Sequence, residues 1–432
     1  MIQGGVMERN PQIGAHGPAH RWLQLALGII CMVMVANLQY GWSLFVLPID
    51  AKFQWGRTAI QLAFTLFILA ETWLMPIAGY LADRCGTRPV VMAGGILVGM
   101  SWSLNACADS LAALYISAAI GGAGVGAVYS ACIGNALKSF AGRRGLAVGL
   151  TAAGFGTVSA ATVLPIHAAI QAYGYENAFL YFGLGQGLIV LLAAWGLTPS
   201  ASGKIRNGKI RVSQGVRDYA PLEIVRAPAF WVMYLMFFLV AAAGLMAIAQ
   251  LAPIAKEYKV ANVPASLLDL TLPALMFALA IDRVFSGFAR PFFGWVSDRM
   301  GREQAMCIAF GIEAAAIVAL AHFGHDPLMF VLLTGLIFFA WGEIYSLFPA
   351  ACADLFGVKY AATHAGMLYT AKGAAALLVL LLSGFLPPTA DWRLMFFCAA
   401  AMNVVASALA VLVLRPLCTR QRIADREQPL PR

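Results

Sequence analysis

The sequence predicts an all-α membrane protein, with twelve transmembrane helices arranged as two pseudo-symmetric six-helix bundles. Three observations predict it. Apolar residues make up 61% of the 432-residue chain and charged residues 11%. The apolar residues fall into twelve runs long enough to cross a bilayer. A charged motif recurs half a chain apart.

The composition excludes the soluble classes. Mean hydropathy is +0.78, whereas a soluble domain is about one-quarter charged. The 29 Lys and Arg and 20 Asp and Glu cannot cover a water-facing surface of this size, and the apolar content is too high for disorder. The formal charge of +9 marks no nucleic-acid partner, because the basic residues sit in short segments between apolar runs. The eight cysteines stand singly, with no C-x-x-C pair and no histidine at ligand spacing, so neither metal nor cofactor is expected.

A bilayer core of about 30 Å needs roughly 20 apolar residues in a helix. Such runs cover 22–48, 59–82, 89–108, 111–137, 145–169, 178–198, 228–254, 268–296, 304–323, 328–353, 361–386 and 392–414. The first is too long for the apolar part of a cleavable signal peptide. The expected organisation is a tail (1–21), a six-helix bundle (22–198), a basic central loop (199–227), a second bundle (228–414) and a second tail (415–432). Of the 29 Lys and Arg, 21 lie on the side shared by both tails and the central loop, against 5 on the other side. That asymmetry predicts a multi-pass inner-membrane protein with both termini cytoplasmic.

The second run ends Gly79-Tyr-Leu-Ala-Asp83-Arg84-Cys-Gly86-Thr-Arg88, and the eighth ends Gly294-Trp-Val-Ser-Asp298-Arg299-Met-Gly301-Arg302, an offset of 215. Tyr129 has a counterpart in Tyr345, and Arg144 in Lys359. Repetition at one period signals duplicated architecture. In this motif a glycine allows close helix approach, and Asp83 and Asp298 can cap a helix or pair with Arg84 and Arg299 as the halves move. Over essentially its full length the chain resembles the major facilitator superfamily. That resemblance implies two bundles rocking about a midplane site.

Ionisable groups inside apolar runs cost at least a few kcal/mol each. Three are basic. Arg290 lies about 12 Å from the motif end of its span, and Lys372 about 16 Å into its own; neither can easily snorkel. Arg283, about 22 Å in, can reach the far interface. At the 215 offset Arg290 corresponds to Met75 and Lys372 to Thr157, so both cations come from one half. Two cations facing one cavity read as an anion site. The competing reading pairs each with an intramembrane acid, Glu71, Asp282, Glu313 or Glu343. Trp341 and Tyr345 share a helical face, and Gln39, Tyr40, Gln61 and Tyr129 offer further polar groups.

At these residues the chain resembles the oxalate:formate antiporter family. The matching stretches are Ser286-Gly-Phe-Ala-Arg290-Pro-Phe-Phe-Gly-Trp-Val-Ser-Asp298, Trp341-Gly-Glu-Ile-Tyr345-Ser-Leu-Phe-Pro349 and Tyr369-Thr-Ala-Lys372. The resemblance implies that Arg290 and Lys372 bind carboxylates and that Gln39, Tyr40, Gln61, Tyr129, Trp341 and Tyr345 line the cavity. Two positions depart from it: Phe155 stands where the oxalate carrier has a tyrosine hydroxyl, and Glu343 where it has glycine. Glu343 is about 200° round the helix from Trp341 and Tyr345, hence off the cavity face.

Other signals lead elsewhere. Gly203 to Lys209 imitates a phosphate-binding loop but is followed by Ile210, so ATP is not implied. Gly122, Gly124 and Gly126 sit inside an apolar run, where small residues permit packing. The expectation is a monomeric, non-enzymatic exchanger of oxalate, formate or similar carboxylates by alternating access, with the lipid bilayer as its other partner. A proton-coupled monocarboxylate symporter using Glu343 or His364, and a non-transporting solute sensor, are the alternatives.

Overall fold

The structure, a computed structural model, describes residues 17–157, 159–198, 217–267, 270–385 and 392–427. Most of the expected central loop and the outer parts of both tails therefore lie outside the described residues. Among the described residues twelve helical passages are present. α1 (Pro18–Tyr40) and α2 (Trp42–Phe53) form the first, α3 (Arg57–Trp73) and α4 (Met75–Cys85) the second, α5 (Thr87–Ala106) the third and α6 (Leu111–Ser139) the fourth. α7 (Arg144–Thr157) and the first part of α8 (Ser159–Trp195) make the fifth. Gly174, at φ 82° and ψ 162°, breaks α8, and its remainder is the sixth. After the single turn α9 (Pro221–Ile224) come α10 (Pro228–Glu257), α11 (Ala274–Met300), α12 (Arg302–Phe323), α13 (Pro327–Trp341) with α14 (Ile344–Phe356), α15 (Ala361–Phe385) and α16 (Trp392–Leu409). The last passes through a π turn, Ala410–Leu414, into α17 (Arg415–Glu427). Helices suit the bilayer because each satisfies its own backbone polar groups where no water can.

Among the described residues ten helical segments are long and apolar enough to cross a membrane by composition. The eighth passage is not among them. Every 18-residue stretch of α11 holds at least three of Asp282, Arg283, Arg290, Asp298 and Arg299. The charges that make this helix informative also hide it from a hydropathy count.

Two elements differ from the sequence expectation. The eighth run does not start as helix at 268: β1 (Pro264–Leu267) and β2 (Leu270–Pro273) pair antiparallel, and α11 begins at Ala274. Pro273 disfavours helical backbone at the residue before it, and with its own ψ at 131° it stands as the N-cap, so the helix begins at Ala274. The twelfth helix continues beyond 414 as α17, whose Asp425 accepts a hydrogen bond from the Tyr219 hydroxyl at 2.5 Å.

The motif glycines have two distinct uses. Gly86 and Gly301, one repeat apart, sit at φ 93°, ψ 162° and φ 103°, ψ 154°, where a Cβ is strained. Gly79 and Gly294 lie where the halves touch. A Cβ on Gly79 would collide with the Ala362 carbonyl, and one on Gly294 with the Gly145 carbonyl. The halves thus meet closely, α4 against α15 and α7 against α11, at the end carrying the basic motif, here called the basic end.

Candidate substrate-binding cavity

Charged contacts close the basic end. The Asp83 carboxylate accepts from Thr363 N at 2.8 Å and Ala362 N at 3.4 Å, capping α15. Asp298 accepts from Gly145 N and Leu146 N, both at 2.9 Å, capping α7. Each motif aspartate therefore holds the first turn of a helix in the opposite bundle, where unpaired N–H groups and the helix dipole favour negative charge. Asp354, 1% exposed, accepts from Arg144 Nη1 at 2.6 Å and Arg302 Nε at 2.9 Å. Arg84 and Arg299 stay outside this network, lying over Tyr80 and Trp295 at 5.0 and 3.8 Å from the ring centroids.

Above this closure, between the bundles, is a cavity of about 320 Å³. Gln39 and Tyr40 reach it from α1, Gln61 from α3, Trp341 and Tyr345 from the tenth passage, and Lys372 from α15. It extends away from the basic end as far as Gln61, one turn into α3 and exposed.

Arg290 and Tyr129 do not line this cavity; they lie beneath it, each 2% exposed. The Arg290 guanidinium packs 4.4 Å from the centroid of Tyr345, and its Nη1 donates to the Ala152 carbonyl at 2.5 Å. Its Nε has no hydrogen-bond partner, and among the described residues no carboxylate is within ion-pair distance. Gly156 is the window, since it lines the cavity and a Cβ there would come 2.9 Å from the guanidinium carbon. The Lys372 ammonium is 5.9 Å from the same Tyr345 ring. The two cationic centres are therefore at most about 10 Å apart, the two ring distances taken together. The Tyr369 and Tyr129 hydroxyls hydrogen-bond across the floor, while Phe155 packs edge-on to both Tyr40 and Tyr129.

Three features correct or extend the sequence reading. Lys372 has an acidic neighbour from the other half: Glu71, 0% exposed, places its carboxylate oxygens 3.4 and 3.5 Å from Nζ. Arg283 does not leave for the far interface. It lines the cavity beside Asp282, 4.9 Å over the Tyr40 ring, and its seven-residue spacing from Arg290, two helical turns, could have placed both on one face. The Trp341 N–H is occupied by the Val240 carbonyl at 3.1 Å, so this ring contributes shape and π surface rather than a free donor. Neither Glu343 nor His364 lines the cavity; both are buried elsewhere, 0% and 1% exposed. Tyr369, three residues before Lys372 and thus on its face, is a floor residue that the sequence reading names beside Lys372 without assigning it to the cavity.

The sequence profile of the Major Facilitator Superfamily matches residues 25–287 and 263–431. The oxalate:formate antiporter of Oxalobacter formigenes is 32% identical over 97% of this chain and 99% of its own length. The chain is a member of the major facilitator superfamily, in its oxalate:formate antiporter family. Monocarboxylate transporter 11 of Mus musculus is 34% identical, but over only 34% of the chain and 34% of its own length. The fold of this superfamily member is also that of the transporter FucP in its outward conformation. That structure superposes with a TM-score of 0.67 over 91% of this chain and 99% of that one, at 15% identity.

Proposed function

We propose that this member of the superfamily exchanges small carboxylate anions, oxalate and formate or close analogues, across a cell membrane by alternating access. The observation that carries the reading is Arg290, a fully buried guanidinium beneath an aromatic cavity, with donor capacity left over and no carboxylate at ion-pair distance among the described residues. A buried, uncompensated cation costs several kcal/mol, and a bound carboxylate removes that cost. Lys372 supplies a second positive head from the cavity wall. Tyr345, Tyr40 and Trp341 exclude water, and Gln39 and Gln61 provide polar edges.

With the basic end cytoplasmic, as the lysine and arginine asymmetry implies, the contacts of Asp83, Asp298 and Asp354 form a closed inner gate. The cavity then faces outward, and both termini lie inside. Reversal of those contacts would admit substrate from the other side, with Arg290 and Lys372 staying at the midplane. An empty carrier exposes its unpaired guanidinium during that reversal, and a loaded one does not. This difference favours exchange over one-way release.

The test is uptake of labelled oxalate into proteoliposomes with and without formate inside. Exchange predicts strong acceleration by internal formate; equal rates would sink the reading. Proton-coupled symport is separated by the same vesicles. There, an imposed pH gradient would drive uptake without any counter-substrate.

A further inference from the structure

Glu71 is a buried carboxylate placed against a cation that should be binding someone else's carboxylate. It lies on α3 in the first bundle, 0% exposed, 3.4 Å from the Lys372 ammonium of the second bundle. The groups that face it can be named helix by helix. α15 presents Lys372, α6 presents Tyr129 and α14 presents Tyr345, while Tyr369, Tyr40 and Arg290 lie behind these against Tyr129 and Tyr345. α4, which continues from α3, carries its charges Asp83 and Arg84 at the basic end, engaged with Thr363 and Tyr80. α2 carries Asp50 and Lys52 at the other end, engaged with Arg57 and Glu176. Among the described residues the only ion pair that Glu71 makes is with Lys372.

Charge counting gives the consequence. With Glu71 ionised, Lys372 is neutralised; Arg283 has the opposite charge of Asp282 beside it in the cavity wall, and the Arg290 charge beneath the floor is left without a carboxylate, which matches a monoanion. A dianion needs both cations. It must therefore replace Glu71 as the partner of Lys372, and a carboxylate left buried and unpaired at that depth costs several kcal/mol unless it becomes neutral.

We infer that Glu71 is a coupling residue: a dicarboxylate binds to Lys372 by displacing the Glu71 carboxylate, which takes up one proton from the aqueous cavity, whereas a monocarboxylate binds with Glu71 still ionised and paired. The step balances. The Lys372 ammonium keeps its protons and exchanges one carboxylate partner for another, and the proton on Glu71 comes from solvent. A dianion with one proton then presents the same net charge to the moving carrier as a monoanion without one. This inference deepens the carboxylate-exchange reading and rests on it.

The experiment measures proton uptake by a pH dye when oxalate, or separately formate, is added to the purified full-length carrier in weak buffer. The pH dependence of both affinities is measured alongside. The expected result is about one proton per oxalate and none per formate, with oxalate affinity falling about tenfold per pH unit while Glu71 is ionised in the free carrier. Glu71→Gln should bind oxalate without proton uptake and without that pH dependence. Glu71→Asp, which keeps the acid, should restore both. Oxalate binding with no proton uptake in the wild type, or a Glu71→Gln protein with an unchanged proton count, would overturn the inference. Lys372→Gln separates the two levels. If that variant still binds oxalate as the wild type does, the site reading itself is wrong. If it loses oxalate while Glu71→Gln leaves the proton count intact, only the coupling role falls. Circular dichroism melting of each variant confirms that the fold is retained.

Discussion

Replacing Arg290 by lysine keeps a positive charge at the cavity floor and removes the fork. In the structure one arm of the guanidinium is committed to the Ala152 carbonyl at 2.5 Å, and the plane stacks 4.4 Å from Tyr345. The Nε edge is left without a protein partner. An anchored guanidinium can therefore still present N–H groups to both oxygens of a carboxylate. An ammonium is a point charge on a flexible stem, and what it gives Ala152 it takes from the substrate. Losing one hydrogen bond between charged groups costs about 1.5–3 kcal/mol, and each 1.4 kcal/mol is about tenfold in affinity. Oxalate should thus bind Arg290→Lys roughly 10- to 100-fold more weakly. The loss of stacking on Tyr345, worth about 0.5–2 kcal/mol, should show separately as a lower melting temperature. Calorimetric titration of the solubilised protein reads the first effect and thermal unfolding reads the second. An oxalate affinity within about threefold of wild type, equivalent to less than about 0.7 kcal/mol, would refute the claim that the guanidinium grips a carboxylate by its fork.

Three further outcomes follow from the geometry. Gly156→Val puts branched carbon where even a Cβ would lie 2.9 Å from the Arg290 guanidinium carbon. Oxalate binding should fall as far as in Arg290→Gln while the protein still folds, and retained affinity would mean that substrate reaches Arg290 by another route. Asp298→Ala removes the acceptor for Gly145 N and Leu146 N. Hydrogen exchange should quicken at the start of α7, by an amount reflecting roughly 1 kcal/mol of lost capping, and not at Ala362 and Thr363. Asp83→Ala should show the reverse pattern. Lys372→Gln should abolish dicarboxylate transport and, by leaving the buried Glu71 carboxylate without its partner, lower the melting temperature of a protein that still folds; full activity would remove Lys372 from the site.

What the sequence could reveal follows from how each feature is encoded. Helices and their number are written locally, as apolar runs, and the aspartate cap is written twice, so Asp83 and Asp298 stand out by repetition. Arg290 and Lys372 stand out because charge interrupts hydrophobicity. By contrast, the Glu71–Lys372 contact joins residues 301 apart, with no spacing rule to connect them. Glu71 could be recognised as one of four candidate partners and no further. The second strand of the ribbon was hidden because the short alternation Leu268-Asp269-Leu270-Thr271-Leu272 runs straight into the apolar run of the eighth passage. The depth of Arg290 and Tyr129 below the cavity depends on how Tyr345 and Gly156 pack, a tertiary property that helix rise alone does not supply.

The duplication and its divergence do different jobs. Symmetry supplies the caps: the same aspartate, in the same turn, caps a helix of the opposite bundle on both sides of the interface. The site departs from symmetry, because Arg290 and Lys372 stand where the first half has Met75 and Thr157, and the acid stands in the first half. The Glu71–Lys372 pair therefore bridges two bodies that must move relative to one another. Parting these charges from 3.4 Å to about 8 Å costs on the order of 3 kcal/mol at an effective dielectric of about 20. An empty carrier bears that cost if its rocking separates the pair. A carrier with an anion on Lys372 has already given the contact up. On this view dicarboxylate occupancy does more than neutralise a cavity: it releases a cross-bundle tether that a monocarboxylate leaves in place, and that release links what is bound to how readily the bundles rock.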